Sequence, residues 1–302
     1  MRKVLFLLSF CAVMFQINAQ ISETELDRMD QTMARINNTL PVIVLDKATT
    51  TVYYRFIQQA MLDNTPVFLT DTVVLKIGGV YSVYYNWSSV LRDSIVRAPR
   101  LQINPSEIRL FQVVSDVYEF EEIGRAQDGV ITEEPAPESI RIFKNRQTNI
   151  VTSIDGTVSE MFLAEEIIPP MEWIIFPDTM TILGYLCFKA TTNFRGREYI
   201  AWFAPDIPIN TGPWKIYGLP GLILHLEDED RLFVYKAIRV TNHAEIPITM
   251  YDDLYTRVTN EQLQGWIENQ RDYIGRTMLS NGVMYVSQRR NPLTFHRREI
   301  EN

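Results

Sequence analysis

Nine short runs rich in β-branched and aromatic residues constrain the fold more than any other feature of the chain. They are VYYRF (52–56), TVVLKI (72–77), VYSVYY (80–85), IRLFQVV (108–114), SIRIFK (139–144), TILGYLCFKA (181–190), REYIAWF (197–203), LILHL (222–226) and RLFVYKAIRV (231–240). Polar or Gly/Pro punctuation separates them, and each reads as a strand. No long helical stretch lies between them, which argues against parallel βαβ units and for an antiparallel sheet with one wetter face. Two helices are expected beside it. Ser22 and Glu25 have capping-box spacing ahead of Leu26, Met29, Met33 and Ile36, which predicts a helix over 22–37. Asn260 is placed to cap EQLQGWIENQRDYIGRTMLSN, with Leu263, Trp266, Ile267, Ile274 and Met278 on one stripe and Gly282 as a left-handed stop. The expected fold is mainly β (α+β): one large curved antiparallel sheet or half-barrel, with an N-terminal and a C-terminal helix packed on it. GRAQDGVITEEPAPE (124–138) reads as an exposed loop or hinge.

The first residues, MRKVLFLLSFCAVMFQINAQ, place Arg2 and Lys3 ahead of an apolar stretch from Val4 to Phe15, the layout of a secretory signal peptide over 1–19. The stretch is too short for a membrane span, and no later segment of that length is free of charge. Residues 20–302 are expected to form a single exported domain. Phe10 stands where a small residue is expected before a lipidated cysteine, which argues against an anchor at Cys11. Without the leader only Cys187 remains, so no internal disulfide forms and stability rests on a packed core, for which 46% hydrophobic composition suffices. Removing Arg2 and Lys3 takes the net charge from −8 to about −10, which argues against a nucleic-acid backbone or an anionic membrane surface as partner.

The run GPWKIYGLPGLILHLEDED (212–230) crowds two glycine–proline punctuations against an apolar strand. Pro220 suits the second position of a type II turn and Gly221 the third, where φ is positive. Beyond it, alternation predicts a hairpin, with Leu222, Leu224 and Leu226 on one face and a solvated acidic tip at Asp228 to Asp230. Gly218, Pro220 and Gly221 are thus read as turn residues that serve shape.

The same stretch carries a resemblance. GLPGLI (218–223), preceded by GPWKIY and by FRGREYIAWFAPDIP (194–208), resembles the GLPGLI family of Bacteroidetes exported proteins. Trp173 ahead of GYLCFKA (184–190), NPLTF (291–295) and, more loosely, KIGGVYS (76–82) are similar to that pattern. The family is of unknown function and has no accepted catalytic residues, so the resemblance implies an address, the periplasm or outer envelope of a Gram-negative bacterium, and no activity.

Candidate chemistry is sparse. His225, Glu227, Asp228 and Asp230 carry the right atoms for zinc or calcium, but there is no HExxH helix, no second histidine nearby and no calcium-loop spacing. No GxSxG elbow is present, and Cys187 lies between Leu186 and Phe188 in an apolar strand, where a thiol is inert unless functional. Arg195 and Arg197 at period two would leave one face of a strand and clamp a carboxylate or phosphate, or pair internally with Glu198, Asp206 or another acid. Trp202, Trp214, Tyr199 and Tyr217 line a groove or fill a core. The ligand-binding candidates are therefore Arg195, Arg197, Trp202, Trp214 and Tyr217, with no metal, cofactor or catalytic residue assigned. Three readings remain open. One is a non-enzymatic envelope protein that carries an apolar or peptide ligand or docks to an outer-membrane partner. Another is an uptake-system accessory that pairs with its receptor by strand addition. The competing one is a metal-dependent hydrolase using His225 and nearby acids.

Overall fold

The computed structural model describes residues 24, 26–29, 31, 41–92, 109–113, 130–133, 140–156, 160–252, 254–271, 273–280, 283–290 and 293–300. These fall into two units, Met1–Thr39 and Leu40–Asn302. In the first, residues 24, 26–29 and 31 are helical, within the helix expected over 22–37, and Leu26 and Met29 are buried. The leader, Cys11 and most of the segment 124–138 lie outside the described residues.

The second unit is built from strands. In chain order they are β1 (Val42–Leu62), β2 (Thr65–Gly78), β3 (Tyr81–Asn86), β4 (Arg109–Val113), β5 (Val130–Glu133), β6 (Arg141–Asn145), β7 (Ile150–Gly156), β8 (Met161–Ile167) and β9 (Ile174–Ile182). There follow β10 (Tyr185–Phe194), β11 (Arg197–Ala204), β12 (Leu222–Asp228), β13 (Phe233–Tyr251), β14 (Tyr255–Arg257), β15 (Tyr273–Ser280), β16 (Val283–Arg290) and β17 (Leu293–Phe295). Two helices, α1 (Trp87–Arg92) and α2 (Asn260–Arg271), interrupt them. One open sheet takes the order β14-β8-β7-β6-β3-β2-β1-β13-β12-β11-β10-β9, with β17 added to β1, and β4-β16-β15-β5 form a second sheet. The mainly β, antiparallel-dominated architecture is the one expected; the described parallel pairings are β14 with β8 and β16 with β4.

Local chemistry explains the tight connections. Asp63–Asn64, Leu183–Gly184 and Arg195–Gly196 each join two antiparallel strands, and all six residues have positive φ, the backbone that matches strand twist in two-residue hairpins. The Leu183–Gly184 turn divides TILGYLCFKA, expected as one strand, between β9 and β10. The Arg195–Gly196 turn removes Arg195 from the strand on which it was placed with Arg197.

Two further expectations change. α2 starts at Asn260 and buries Leu263 and Ile267 but ends at Arg271; Ile274 and Met278 belong to β15, paired with β16 in strict register. YIGRTMLS and VMYVSQRR flank Asn281-Gly282, a hairpin signal whose pairing outweighs helical spacing; residues 281–282 themselves are not described. Within 124–138, Val130–Glu133 is β5, because Val-Ile-Thr suits a strand once β15 offers a partner.

Register fixes what faces the core. Val52, Leu75, Tyr84, Ile142, Ser153 and Ala164 oppose one another in turn across β1, β2, β3, β6, β7 and β8. The neighbouring row runs Thr50, Ile77, Ser82, Lys144, Val151 and Glu166. One buried cluster joins this face to Trp214, Ile216, Tyr217 and Leu219 of the β11–β12 loop and to Leu263 and Ile267 of α2. Among the described residues no helix is long and apolar enough to cross a membrane, which says nothing of strands.

Candidate site beneath the 205–221 loop

The loop between β11 and β12, residues 205–221, lies on the core and is itself buried from Thr211 to Tyr217. A buried loop needs partners for its peptide groups, and it finds them. The Leu222 and Ile223 amides donate to the Ile207 and Thr211 carbonyls at 3.0 and 3.1 Å. Trp173 Nε1 donates to the Tyr217 carbonyl, the Gly218 amide to Asn210 Oδ1 and the Tyr217 hydroxyl to the Ile168 carbonyl, each at 2.8 Å.

The expected turn takes a different form. Positive φ falls at Gly218 (107°), while the Gly221 amide donates to the Leu219 carbonyl at 2.8 Å, closing a three-residue turn about Pro220. Gly221 is needed for space: a Cβ there would stand 2.3 Å from the Ala204 carbonyl oxygen. Gly221→Ala is therefore expected to cost about 2–3 kcal/mol, the penalty of forcing a packed backbone apart. Gly265→Ala, in α2 with open space around it, is expected to gain about 0.5–1 kcal/mol from helix propensity. Urea midpoints of the two variants, moving in opposite directions, check both.

The hairpin that follows is present, with His225, Leu226 and Glu227 opposite Lys236, Tyr235 and Val234. Its acidic tip is less solvated than expected. Glu229 and Asp230 are exposed, but Asp228 is buried, accepts the Phe233 amide at 2.8 Å and pairs with Arg197 at 3.2 Å. Burial pushes the Asp228 carboxyl up, against the lowering pull of the Phe233 amide and Arg197.

Both arginines singled out in the sequence are engaged internally, with acids other than Glu198 and Asp206. Arg195 pairs with Glu166 and lies 3.8 Å from Glu299. Lys215, whose side chain is fully buried, sits 2.5 Å from Oε1 of both Glu166 and Glu299 and 3.3 Å from Asn260 Oδ1. This network ties β8, the β10–β11 turn, the loop, the start of α2 and the C-terminal segment together. Lys215 and Glu299 are the residues that sequence reading missed. Lys215 lay within the quoted motif, whereas nothing local marks its partner 84 positions away.

The C-terminal segment crosses the same place. Leu293–Phe295 pair with Ala60–Leu62 of β1, and the Ile300 amide donates to the Arg195 carbonyl at 2.9 Å. Arg197 Nε donates to the Arg297 carbonyl at 3.1 Å. The buried Arg298 guanidinium lies 4.8–5.5 Å from the ring centroids of Phe233, Phe56, Trp214 and Tyr235, within cation–π range. Trp214 also packs on Phe194 and Tyr199. The space left beside Trp214 is about 20 Å³, room for one water-sized group, and its lining includes Asp155, Glu268, Arg271 and Glu299. Of the five ligand-binding candidates, Trp214, Tyr217, Arg195 and Arg197 gather in this region, while Trp202 is half-buried opposite Lys189 and His225.

Three further side chains have defined surroundings. Lys144 Nζ is buried 2.8 Å from the Tyr217 ring centroid with no hydrogen-bond partner, and burial, reinforced by Arg146, pushes its pKa down to about 6. Cys187 is buried and its thiol is pushed up to about 11 by burial, an unreactive state. His225 Nε2 lies 3.2 Å from Oε2 of Glu227, whose Oε1 is 3.3 Å from Arg231, and burial moves the imidazole below its usual range despite Glu227. Among the described residues no three His, Cys, Asp or Glu side chains gather to hold a metal ion.

Against known proteins, residues 194–225 match a family model described as a protein of unknown function (Porph_ging). The match spans the β10–β11 turn, β11, the loop and the first half of β12. No curated protein matches the chain. Two similar solved structures are of PNGF-II, one in the P21 space group (14% identity, TM-score 0.43, 78% of this chain and 35% of that one) and one in C2 (15%, 0.40, 76% and 35%). The chain thus spans about a third of their length.

Proposed function

We propose that this is an exported, non-enzymatic accessory protein of a Gram-negative cell envelope that docks a partner protein along the free edge of its large sheet. The observation that supports it is β9. Among the described residues this nine-residue strand ends the strand order, and Ile174 (64% exposed), Ile175 (51%) and Met180 (40%) lie open along it, with Leu183 exposed in the turn and Leu186 exposed on β10. An open edge offers unpaired amides and carbonyls, and a cluster of exposed apolar side chains there marks an interaction surface.

Charge favours a different protein over a second copy. Residues 168–188 carry Glu172 and Asp178 and no basic residue. Antiparallel self-pairing centred on β9 would set Asp178 against Asp178, and like charges directly opposed destabilise. Pro177 and the register shift opposite Phe188–Ala190 further guard against self-association. A partner strand with apolar residues and a lysine or arginine fits. A carrier of apolar ligands is the weaker version, because the chain's own residues fill the space beside Trp214. The hydrolase reading requires His225 to converge with a second ligand in a cleft, and its neighbour Glu227 is shared with Arg231.

A photo-crosslinking residue at the exposed Thr181, compared with one at the exposed hairpin tip Asp230, tests the reading in intact envelopes. A single adduct from position 181, absent from position 230 and lost in Met180→Asp, is expected. Equal labelling from both positions, or none, overturns it.

A further inference from the structure

The C-terminal segment is held in the way peptide-binding proteins hold peptides. Leu293–Phe295 add a strand to β1, four aromatic rings surround the Arg298 guanidinium, and Lys215 and Asn260 grip the Glu299 carboxylate. Arg195 and Arg197 bind main-chain groups of Ile300 and Arg297. Strand addition, a cation seat, a carboxylate clamp and backbone capture are the separate elements of peptide recognition. Two residues, 291 and 292, tether the segment to β16, which belongs to the other sheet.

We infer that this channel is a peptide-binding groove, filled in cis by residues 293–300, and that it accepts the same segment from a second copy of the chain. Apolar strand, arginine and glutamate in succession form the pattern that the groove reads, and every copy carries it. Exchange of an identical element between identical chains adds no new type of contact and is a low-cost route to association. In the closed chain the tethered segment competes at high effective concentration, so the groove opens to another copy only when its own segment leaves. This inference is independent of the docking edge on β9, and the Met180→Asp variant leaves it untouched.

A labelled synthetic peptide of residues 293–302, LTFHRREIEN, is the probe, titrated into the full-length chain by fluorescence anisotropy. In Arg298→Ala/Glu299→Gln, which weakens the segment and alters no residue of the groove itself, the peptide is expected to bind ~10-fold or more tightly than to the unaltered chain, because the tethered competitor is lost. It is also expected to raise that variant's thermal midpoint. Sedimentation of the unaltered chain should show dimers that grow with concentration and disappear in the double variant. A folded double variant that ignores the peptide, or an unfolded one that the peptide does not restore, overturns the groove. An unaltered chain that stays monomeric at every concentration overturns the second copy as its source.

Discussion

Lys215→Met is expected to destabilise the protein by about 3–5 kcal/mol, the cost of breaking a buried ion pair from one side. The lysine side chain is fully buried, and it holds Glu166 and Glu299, whose side chains are only 12% and 4% exposed. Methionine fills a similar volume but leaves two carboxylates with Arg195 as the cation still beside both. Thermal unfolding should show a midpoint lowered by roughly 10 °C for a chain of this size. If the loss comes from unpaired charge, Lys215→Met/Glu166→Gln/Glu299→Gln should recover much of it. A triple variant as unstable as the single one would assign the loss to packing instead.

Lys144→Met should do the opposite, stabilising by about 2 kcal/mol or more at neutral pH, since an unpaired buried amine is replaced by an apolar side chain of similar length. The pH dependence gives the sign independently. The folded pKa lies at about 6 against an ordinary 10.5. Between those values the unfolded chain binds a proton that the folded chain does not, so stability contributed at this position rises with pH, by up to about 1.4 kcal/mol per unit. The advantage of the methionine variant should therefore be greatest near pH 6 and fade as pH approaches 10.5. Urea titrations of both proteins at pH 6, 7.5 and 9 measure the slope; an advantage independent of pH would mean that Lys144 is solvated or paired. Both lysines are buried, but Lys215 has two carboxylates within reach while Lys144 Nζ faces the Tyr217 ring. Glu166 shares a row with Lys144 but is two strands away, about 10 Å at ordinary strand spacing.

How much of this was legible in the sequence depended on the range of the determining interaction. Alternation of β-branched and aromatic residues is local, and it located β1, β2, β3, β4, β6, β11, β12 and β13. The Asn281-Gly282 signal was local too, but Ile274 and Met278 also satisfy helical spacing, and only pairing between β15 and β16 separates the alternatives. Arg195, Arg197, Trp214 and Tyr217 were legible as a group because their charge and aromaticity crowd into a short stretch. Their occupant was not. Arg298 and Glu299 lie about a hundred residues beyond the arginines in a segment with no composition of its own, and only the folded sheet brings β1, β8 and the chain's end to one place. The role of Gly221 was hidden for the same reason: the atom it makes room for belongs to Ala204, across the loop.

The length of β1 carries a consequence for how the molecule comes into being. Val42–Leu62 pairs at once with its neighbour Thr65–Gly78, but its other side waits for Phe233–Tyr251 and Leu293–Phe295. Ribosomes deliver those residues much later than β1, so the nascent polypeptide carries a long, unzipped apolar ribbon until they emerge. Closure across nearly two hundred intervening positions makes assembly slow and the waiting ribbon prone to capture by other chains, and a holding chaperone is the natural companion of such a topology.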